Sequence, residues 1–206
     1  MGMRPRSAGE PLGVNELFRR ASAKEDAGDL EGSLKDYDEV VRRAPGASRA
    51  YTNRGCVRRA LDDLGGAIAD FTTALRLDPE DAVAFANRAA TLVDQGEPAR
   101  AIDDFDRAIH LRPQYMRAYN NRGWARLESG DAVGAIEDFS HVITHSPEEA
   151  TLPYLNRGRA RLRMGDLAGA RADIESALAI APPVGPLREE IVEALGDLEA
   201  RSQDER

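Results

Sequence analysis

The 206-residue sequence has little cysteine, tryptophan or histidine, and it contains no long apolar run. Its single cysteine, Cys56, excludes an internal disulfide framework and a zinc site built from cysteines. No stretch approaches the roughly 18 consecutive apolar residues that a membrane-spanning helix requires. The formal net charge of -8 argues against general binding to nucleic acids or anionic membranes. We therefore expect no nucleic-acid partner, no membrane partner and a cytoplasmic location.

Residues that could carry catalysis or hold a metal are few. His141 and His145 lie four residues apart, the spacing of two metal-binding histidines on one helix, but the His-Glu-x-x-His pattern is absent. Gly65-Gly66 lies between two predicted helices with no strand before it, so a phosphate-binding loop is not expected. Cys56 has no neighbouring histidine in the sequence that would activate its thiol. We expect a non-enzymatic protein with no cofactor and no metal site.

A pattern that recurs about every 34 residues dominates the chain, and such repeats decide the fold. The units begin at Val14, Ser48, Ala82, Met116 and Thr151. In each unit the predicted first helix carries a bulky and then a small residue on one face, and the second helix carries a small-large-small series before a proline. In the second unit these positions are Tyr51, Gly55, Ala67, Phe71, Ala74 and Pro79.

A short turn separates the two predicted helices of every unit. The turns are Gly28-Asp29, Asp62-Asp63, Gly96-Glu97, Gly130-Asp131 and Gly165-Asp166. Glycine closes a helix by adopting positive φ, and aspartate caps the helix that follows. The sequence therefore predicts a stack of antiparallel helical hairpins.

These residues make the sequence resemble the tetratricopeptide repeat family over residues 14–184, and its Asn-Arg-Gly and Asp-Phe motifs resemble bacterial members. The resemblance implies an all-α, right-handed α-solenoid of five antiparallel helix-pair repeats, whose first helices line a concave groove for partner peptides. The repeats span residues 14–47, 48–81, 82–115, 116–150 and 151–184. The sequence departs from the family pattern near the end of the first helix, where four repeats have a cation instead of an aromatic residue. We expect this change to weaken the side-to-side packing there. The cations are Lys24, Arg58, Arg126 and Arg161.

Both ends of the chain and one joint differ from the repeats. We expect residues 1–13 to be a disordered lead-in. Residues 185–206 are expected to form a capping helix and a tail, because one helical face is apolar and a terminal repeat needs a polar outer surface. The alternative is that this helix docks another molecule. An extra residue lies between Pro147 and Asn156, together with Pro153, so the first helix of the fifth unit is expected to begin near residue 153.

Each unit has an arginine at its seventh position and an aspartate at its twenty-third. In an antiparallel hairpin these two positions lie at the same level. We therefore expect five half-buried, hydrogen-bonded pairs that fix register rather than perform catalysis. The pairs are Arg20–Asp36, Arg54–Asp70, Arg88–Asp104, Arg122–Asp138 and Arg157–Asp173.

An asparagine precedes that arginine in four of the five units. Asparagine is a mediocre helix former, and its amide can donate and accept at once, which suits binding the backbone of an extended peptide. The alternative is that each amide bonds to the neighbouring helix. These residues are Asn53, Asn87, Asn121 and Asn156. Further candidates for the same groove are Arg49, Arg117, Asn120, Trp124 and Arg159.

The only tryptophan, Trp124, either anchors an apolar partner side chain or packs between units. Together these patterns predict an interaction scaffold that binds a peptide or protein segment, as a monomer or weak homo-oligomer. Two alternatives stay open: a structural assembly or oligomerisation module, and an accessory subunit that regulates a separate enzyme. The repeat pattern does not specify the partner.

Overall fold

A computed structural model describes the backbone of residues 12–204 and the side chains of residues 12–199. Over that range the chain consists of α-helices and short connections without a strand, so the prediction of an all-α fold of helix pairs is confirmed. The helices are α1 Val14–Asp26, α2 Leu30–Arg43, α3 Ser48–Ala60, α4 Leu64–Leu77, α5 Ala82–Asp94, α6 Pro98–Leu111, α7 Met116–Glu128, α8 Ala132–His145, α9 Thr151–Arg163, α10 Leu167–Ile180 and α11 Pro186–Asp204.

Part of the lead-in that we expected to be disordered is held against the first hairpin. Residues 1–11 of that segment lie outside the described residues. Leu12 packs against the apolar cluster that includes Leu17, and its carbonyl oxygen accepts a hydrogen bond from Nη1 of Arg43 at 2.8 Å. The N–H of Gly13 donates to Oε2 of Glu16 at 3.0 Å, as in a capping box. Contacts therefore fix the chain from residue 12 onward.

The turns within the hairpins combine a residue at positive φ with an aspartate cap. The residues at positive φ are Gly28, Asp62, Gly96, Gly130 and Gly165. In four turns the aspartate that follows accepts a hydrogen bond from the N–H three residues later, at 2.9 to 3.0 Å. Asp62, at φ 64°, is the non-glycine residue among them. A side chain in the left-handed region costs energy, so the turn of the second hairpin is strained.

The two helices of a hairpin approach closely where a glycine meets an aromatic ring. A Cβ placed on Gly55 would lie 2.7 Å from Cε1 of Phe71, and one placed on Gly123 would lie 2.8 Å from Cε1 of Phe139. Both phenylalanines are fully buried. The small and large residues of the repeat therefore interlock closely in the second and fourth hairpins.

The folded chain divides into two compact units, each larger than a sequence repeat: the first unit of the structure ends at Thr91, and the second begins at Leu92. In the first unit α2 packs against α1 and α3, and α3 packs against α4. In the second unit α6 to α11 pack each against the next along the chain. Packing between sequential neighbours is the arrangement of a helical repeat protein.

Helix α11 covers the C-terminal end of the second unit. Its apolar face packs against a cluster that includes Leu155 and Ile174. Ile191 on this face is fully buried, whereas Glu189 and Glu193 on the other face are exposed. The helix therefore caps the last hairpin with a polar outer surface, as expected.

The joint before α9 is irregular, but the expected start of that helix was wrong. A 3-10 turn spans Pro147–Glu149, and α9 begins at Thr151 rather than near residue 153. Pro153 is the third residue of the helix and is buried. The first turn of a helix tolerates proline because its N–H groups have no partner within the helix.

Candidate functional site

Four arginine–aspartate pairs join the two helices of a hairpin. In each pair Nε and Nη2 of the arginine donate to the two oxygens of one carboxylate, at 2.6 to 2.9 Å. The pairs are Arg20–Asp36, Arg54–Asp70, Arg122–Asp138 and Arg157–Asp173. The aspartate side chains are only 4 to 7% exposed. Because two parallel hydrogen bonds fix both distance and orientation, these pairs set the register of the helices.

Arg88 lies in the first compact unit, and Asp104 lies in the second. Nη1 of Arg88 donates to Oγ1 of Thr72 at 3.2 Å. Its guanidinium lies 5.8 Å from the centroid of the Phe85 ring, within range of a cation–π contact. Asp104 is buried in the second unit.

A second cation reaches each of the four paired carboxylates. The ion pairs are Lys24–Asp36, Arg58–Asp70, Arg126–Asp138 and Arg161–Asp173, at 2.8 to 3.0 Å. Each of these cations also donates to a glycine carbonyl in the first turn of the second helix, at 3.1 to 3.3 Å. The cations that replace the family's aromatic residue therefore connect the two helices by charged hydrogen bonds. We expected these cations to weaken the packing, but they add contacts between the helices instead.

From the second repeat onward, Nη1 of the arginine at the seventh repeat position donates to the preceding hairpin. Nη1 of Arg54 donates to Asp38 at 2.8 Å, and Nη1 of Arg157 donates to the hydroxyl of Ser140 at 2.9 Å. The acceptors in successive hairpins are Asp38, Thr72, Asp106 and Ser140. Carboxylates and hydroxyls therefore alternate at this position, and each arginine links two hairpins.

The pairing keeps these groups charged. Burial acts to lower the pKa of Arg122, but the hydrogen bonds and charges of Asp138 and Asp106 outweigh it and raise the pKa above its usual value. The hydrogen bond from Arg20 holds the pKa of Asp36 below its usual range. Groups that stay ionised at neutral pH do not exchange protons as acid–base catalysts do. The network is therefore suited to holding the helices together.

Two of the candidate asparagines lie on neighbouring first helices of the first unit. Nδ2 of Asn53 on α3 donates to Oη of Tyr37 at 3.0 Å, and Nδ2 of Asn87 on α5 lies 3.4 Å from Sγ of Cys56 on α3. Both asparagines are half-exposed. In the described part of the chain no hydrogen bond engages the Oδ1 atom of either residue. Each amide therefore bonds the neighbouring helix and still presents an acceptor.

The asparagines of the second unit differ from one another. Nδ2 of Asn120 donates to Oδ1 of Asn121 at 3.3 Å, and both residues are half-exposed. Oδ1 of Asn120 is buried without a partner among the described residues. Asn156 is 7% exposed and therefore presents far less surface than Asn121. The four asparagines share a position in the repeat but not an environment.

The other candidate residues are also partly engaged. The Arg49 guanidinium lies 5.7 Å from the centroid of the Phe18 ring, and Arg117 is exposed. Trp124 packs beside Leu127, Ala135, Phe139 and Ala160, which is the packing alternative that we left open. Nη2 of Arg159 donates to Oε1 of Glu190 on the capping helix at 2.8 Å.

Sequence reasoning missed a polar cluster around Tyr37. The Tyr37 ring is fully buried, and its hydroxyl accepts a hydrogen bond from Nδ2 of Asn53 at 3.0 Å, with Ser22 and Glu25 nearby. Burial raises the pKa of Tyr37, and burial followed by the charge of Asp26 raises the pKa of Glu25. The other second helices have phenylalanine or isoleucine at this position. A tyrosine among phenylalanines was the signal that pointed to a polar partner.

Among the residues that the structure describes, no group of three or more histidine, cysteine, aspartate or glutamate side chains is arranged to hold a metal ion. No helix in that range combines the length and the apolar character needed to cross a membrane.

Comparisons with known proteins agree with the repeat geometry. Tetratricopeptide repeat models match residues 18–82 and 87–150, and another matches residues 153–183. No curated protein matches the chain.

Several solved structures resemble this one. MamA (41-end) from Desulfovibrio magneticus RS-1 has a TM-score of 0.76 at 19% identity, over 81% of this chain and 94% of that chain. YrrB has a TM-score of 0.71 at 22% identity, over 83% and 88%. PilW, a type IV pilus biogenesis factor, has a TM-score of 0.77 at 20% identity, over 93% and 92%. These likenesses show the fold, and since the family models match well over half of the sequence, the chain belongs to the tetratricopeptide repeat family.

Proposed function

We propose that this protein is a non-enzymatic scaffold that binds a peptide or protein segment along the asparagine-bearing face of its first helices. The observation that carries the proposal is the state of Asn53 and Asn87, which are half-exposed on adjacent helices and each keep Oδ1 free within the described residues. Tetratricopeptide repeat proteins are generally protein-interaction scaffolds.

The hydrogen bonds that these asparagines make support their role in binding. Because Tyr37 accepts from Nδ2 of Asn53, the amide is held in one orientation, and Oδ1 faces away from that contact. Asn87 is oriented in the same way by Cys56. A side chain that is already fixed loses little conformational freedom when a partner binds. Each amide would accept from a backbone N–H of the partner through Oδ1 and donate through its second N–H.

Charged candidates would add contacts to a partner's carboxylates. Arg117 is exposed, and Arg49 is exposed with its guanidinium above the Phe18 ring. Arg159 would first have to exchange Glu190 for a carboxylate of the partner. Asn156 and Trp124 are engaged in packing, so we expect them to contribute less to binding than we inferred from their sequence positions.

YrrB, one of the similar structures, is described as having an unusual peptide-binding site. That description supports a peptide as the class of partner for this fold. The Asn-Arg-Gly and Asp-Phe motifs favour a bacterial-type member of the family. A single cysteine fits the reducing conditions of the cytoplasm, which we propose as its location. Assembly with further copies of the chain, and regulation of a separate enzyme, are the competing functions.

Peptide selection followed by mutation tests the proposal. Peptides would be selected from a random library on the wild-type protein, and their affinities measured for the Asn53→Ala/Asn87→Ala double variant by fluorescence anisotropy. We expect at least a roughly tenfold loss, because a partner's backbone groups would be left unpaired. The matched control is Gln95→Ala/Gln114→Ala, which removes two exposed amides outside the helices.

Two outcomes would contradict the proposal. One is equal affinity of wild type and the asparagine double variant when circular dichroism shows both folded. The other is a concentration-dependent oligomer in light scattering that is unchanged by the double variant, together with no selected peptide. The second result would favour the assembly function.

A further inference from the structure

Three aromatic rings form a stack on the surface of the second unit. The Tyr119 ring on α7 lies 4.1 Å, centroid to centroid, from the His141 ring on α8, with 19° between the planes. The His141 ring lies 4.1 Å from the His145 ring, with 24° between the planes. His141 is half-exposed and His145 is exposed. The stack therefore leaves both imidazoles within reach of small solutes.

A backbone contact fixes the protonation pattern of one ring. Nδ1 of His145 lies 2.8 Å from the carbonyl oxygen of His141. A carbonyl oxygen can only accept, so Nδ1 carries the hydrogen and the lone pair lies on Nε2. Histidines that bind metals commonly hold their other nitrogen in this way, which sets the orientation and the basicity of the ligand nitrogen.

The second ring is held by stacking rather than by a hydrogen bond. Tyr119 covers one face of His141, and His145 covers the other. Because two histidines four residues apart share one face of a helix, their side chains can meet at a single ion. To bind one ion together, the two rings must tilt from stacked toward convergent, until each Nε2 lies about 2.0–2.1 Å from the ion.

We propose that His141 and His145 form a binding site for a divalent transition-metal ion such as Zn²⁺, Ni²⁺ or Cu²⁺. Imidazole is a favoured ligand for these ions and a poor one for Mg²⁺ or Ca²⁺. The two histidines are the only ligands proposed from the described residues, because no cluster of three or more potential ligands occurs there. Water or a group from another molecule completes the coordination. This site is separate from the asparagine-bearing face and does not depend on the proposed function.

Titration with Ni²⁺ alone tests the site, using protein without a polyhistidine tag. All proteins would carry Cys56→Ser so that the thiol contributes nothing. Isothermal titration calorimetry is expected to give one Ni²⁺ per chain, with at least a roughly tenfold weaker affinity in His141→Gln and in His145→Gln. The matched control is His110→Gln, since His110 is an exposed histidine on α6 that does not belong to the stack of Tyr119, His141 and His145.

A second measurement separates binding from misfolding. Ni²⁺ is expected to raise the melting temperature of the parent protein and of His110→Gln, but not that of His141→Gln or His145→Gln, because a ligand of the folded state stabilises it. Cu²⁺ is expected to bind more tightly than Ni²⁺, and Mg²⁺ is expected not to bind. An affinity weaker than about 1 mM, or an equal loss in His110→Gln and His145→Gln, would overturn the proposal.

Discussion

Nη1 of Arg58 lies 3.0 Å from Oδ2 of Asp70, a carboxylate that already accepts two hydrogen bonds from Arg54. The Asp70 side chain is only 4% exposed. A buried carboxylate is stabilised only while it stays paired and hydrogen-bonded. Because both Arg54 and Arg58 pair with Asp70, removing one of them leaves the other in place. The two removals are expected to lower the stability of the protein by different amounts.

Replacing Arg54 by methionine is expected to destabilise the protein more than replacing Arg58. Arg54→Met removes both oriented hydrogen bonds to Asp70 and the link to Asp38, for a loss of about 3 kcal/mol. Arg58→Met leaves those bonds intact and should cost about 1 kcal/mol. Urea unfolding measures both values. Equal losses would contradict the assignment of Arg54 as the principal partner.

Converting Thr72 to aspartate is expected to stabilise the link to the preceding hairpin. Arg88 donates to the Thr72 hydroxyl, whereas Arg54 donates to a carboxylate at the equivalent position, Asp38. Thr72→Asp would add a third ion pair to those of Arg54–Asp38 and Arg122–Asp106, worth less than about 1 kcal/mol because the site is exposed. Thr72→Asn is the control of equal size without charge. A gain of similar size in both variants would rule out the ionic contribution.

Two alanine substitutions in the same hairpin should act in opposite directions. A Cβ on Gly55 would lie 2.7 Å from the Phe71 ring, so Gly55→Ala is expected to cost about 1 to 3 kcal/mol through overpacking. Nothing lies within 4 Å of a Cβ on Gly65, so Gly65→Ala should stabilise α4 by up to about 1 kcal/mol. Thermal unfolding distinguishes them. A tolerated Gly55→Ala would mean that the hairpin is less tightly packed than described.

Asp62→Gly is expected to stabilise the protein by about 1 kcal/mol. Asp62 adopts φ 64°, a conformation that glycine adopts without the penalty borne by a side chain. The control is Gly130→Asp, which places a side chain at φ 91° in the equivalent turn and should destabilise. Denaturant midpoints give both differences. A loss of stability in Asp62→Gly would show that the Asp62 side chain has a role that outweighs the strain.

The contribution of Asp36 should disappear in acid. Arg20 holds the folded-state pKa of Asp36 below its unfolded value, so the ionised carboxylate stabilises the fold. This stabilisation is complete above the unfolded pKa of about 3.9 and is lost as the pH falls through the lower folded pKa. The difference in stability between wild type and Asp36→Asn, measured by urea unfolding, should therefore shrink below about pH 4. A constant difference would contradict the ionic origin.

Helix geometry determines what the sequence could predict. The separation of sixteen residues between Arg54 and Asp70 follows from an antiparallel hairpin with a short turn, and the two residues meet in the structure. The second cation, Arg58, was misjudged because periodicity shows which face a residue occupies but not which acceptor a long side chain reaches. The family's aromatic residue at that position suggested apolar packing, which an ionic contact replaces here.

The candidate binding residues were harder to predict because their environments depend on packing between elements. Arg159 bonds to Glu190 only because α11 folds against α9 and α10, and neither residue's local sequence indicates that contact. Asn156 shares its repeat position with Asn53, yet it is buried. The proline before Asn156 was expected to delay α9, although the first helical turn accommodates it.

At each junction between successive hairpins, an arginine of the later hairpin donates to an acceptor of the earlier one. Because the acceptors alternate between carboxylate and hydroxyl, the junctions should differ in their response to salt. In order, the acceptors are Asp38, Thr72, Asp106 and Ser140. Electrolyte shields a carboxylate junction, whereas a hydroxyl junction is nearly indifferent to it. In dilute buffer we expect backbone amides beside Thr72 and Ser140 to exchange with deuterium sooner than those beside Asp38 and Asp106. At molar salt the difference in exchange rate between the two kinds of junction should become small. Ionic strength would then determine where the chain first opens.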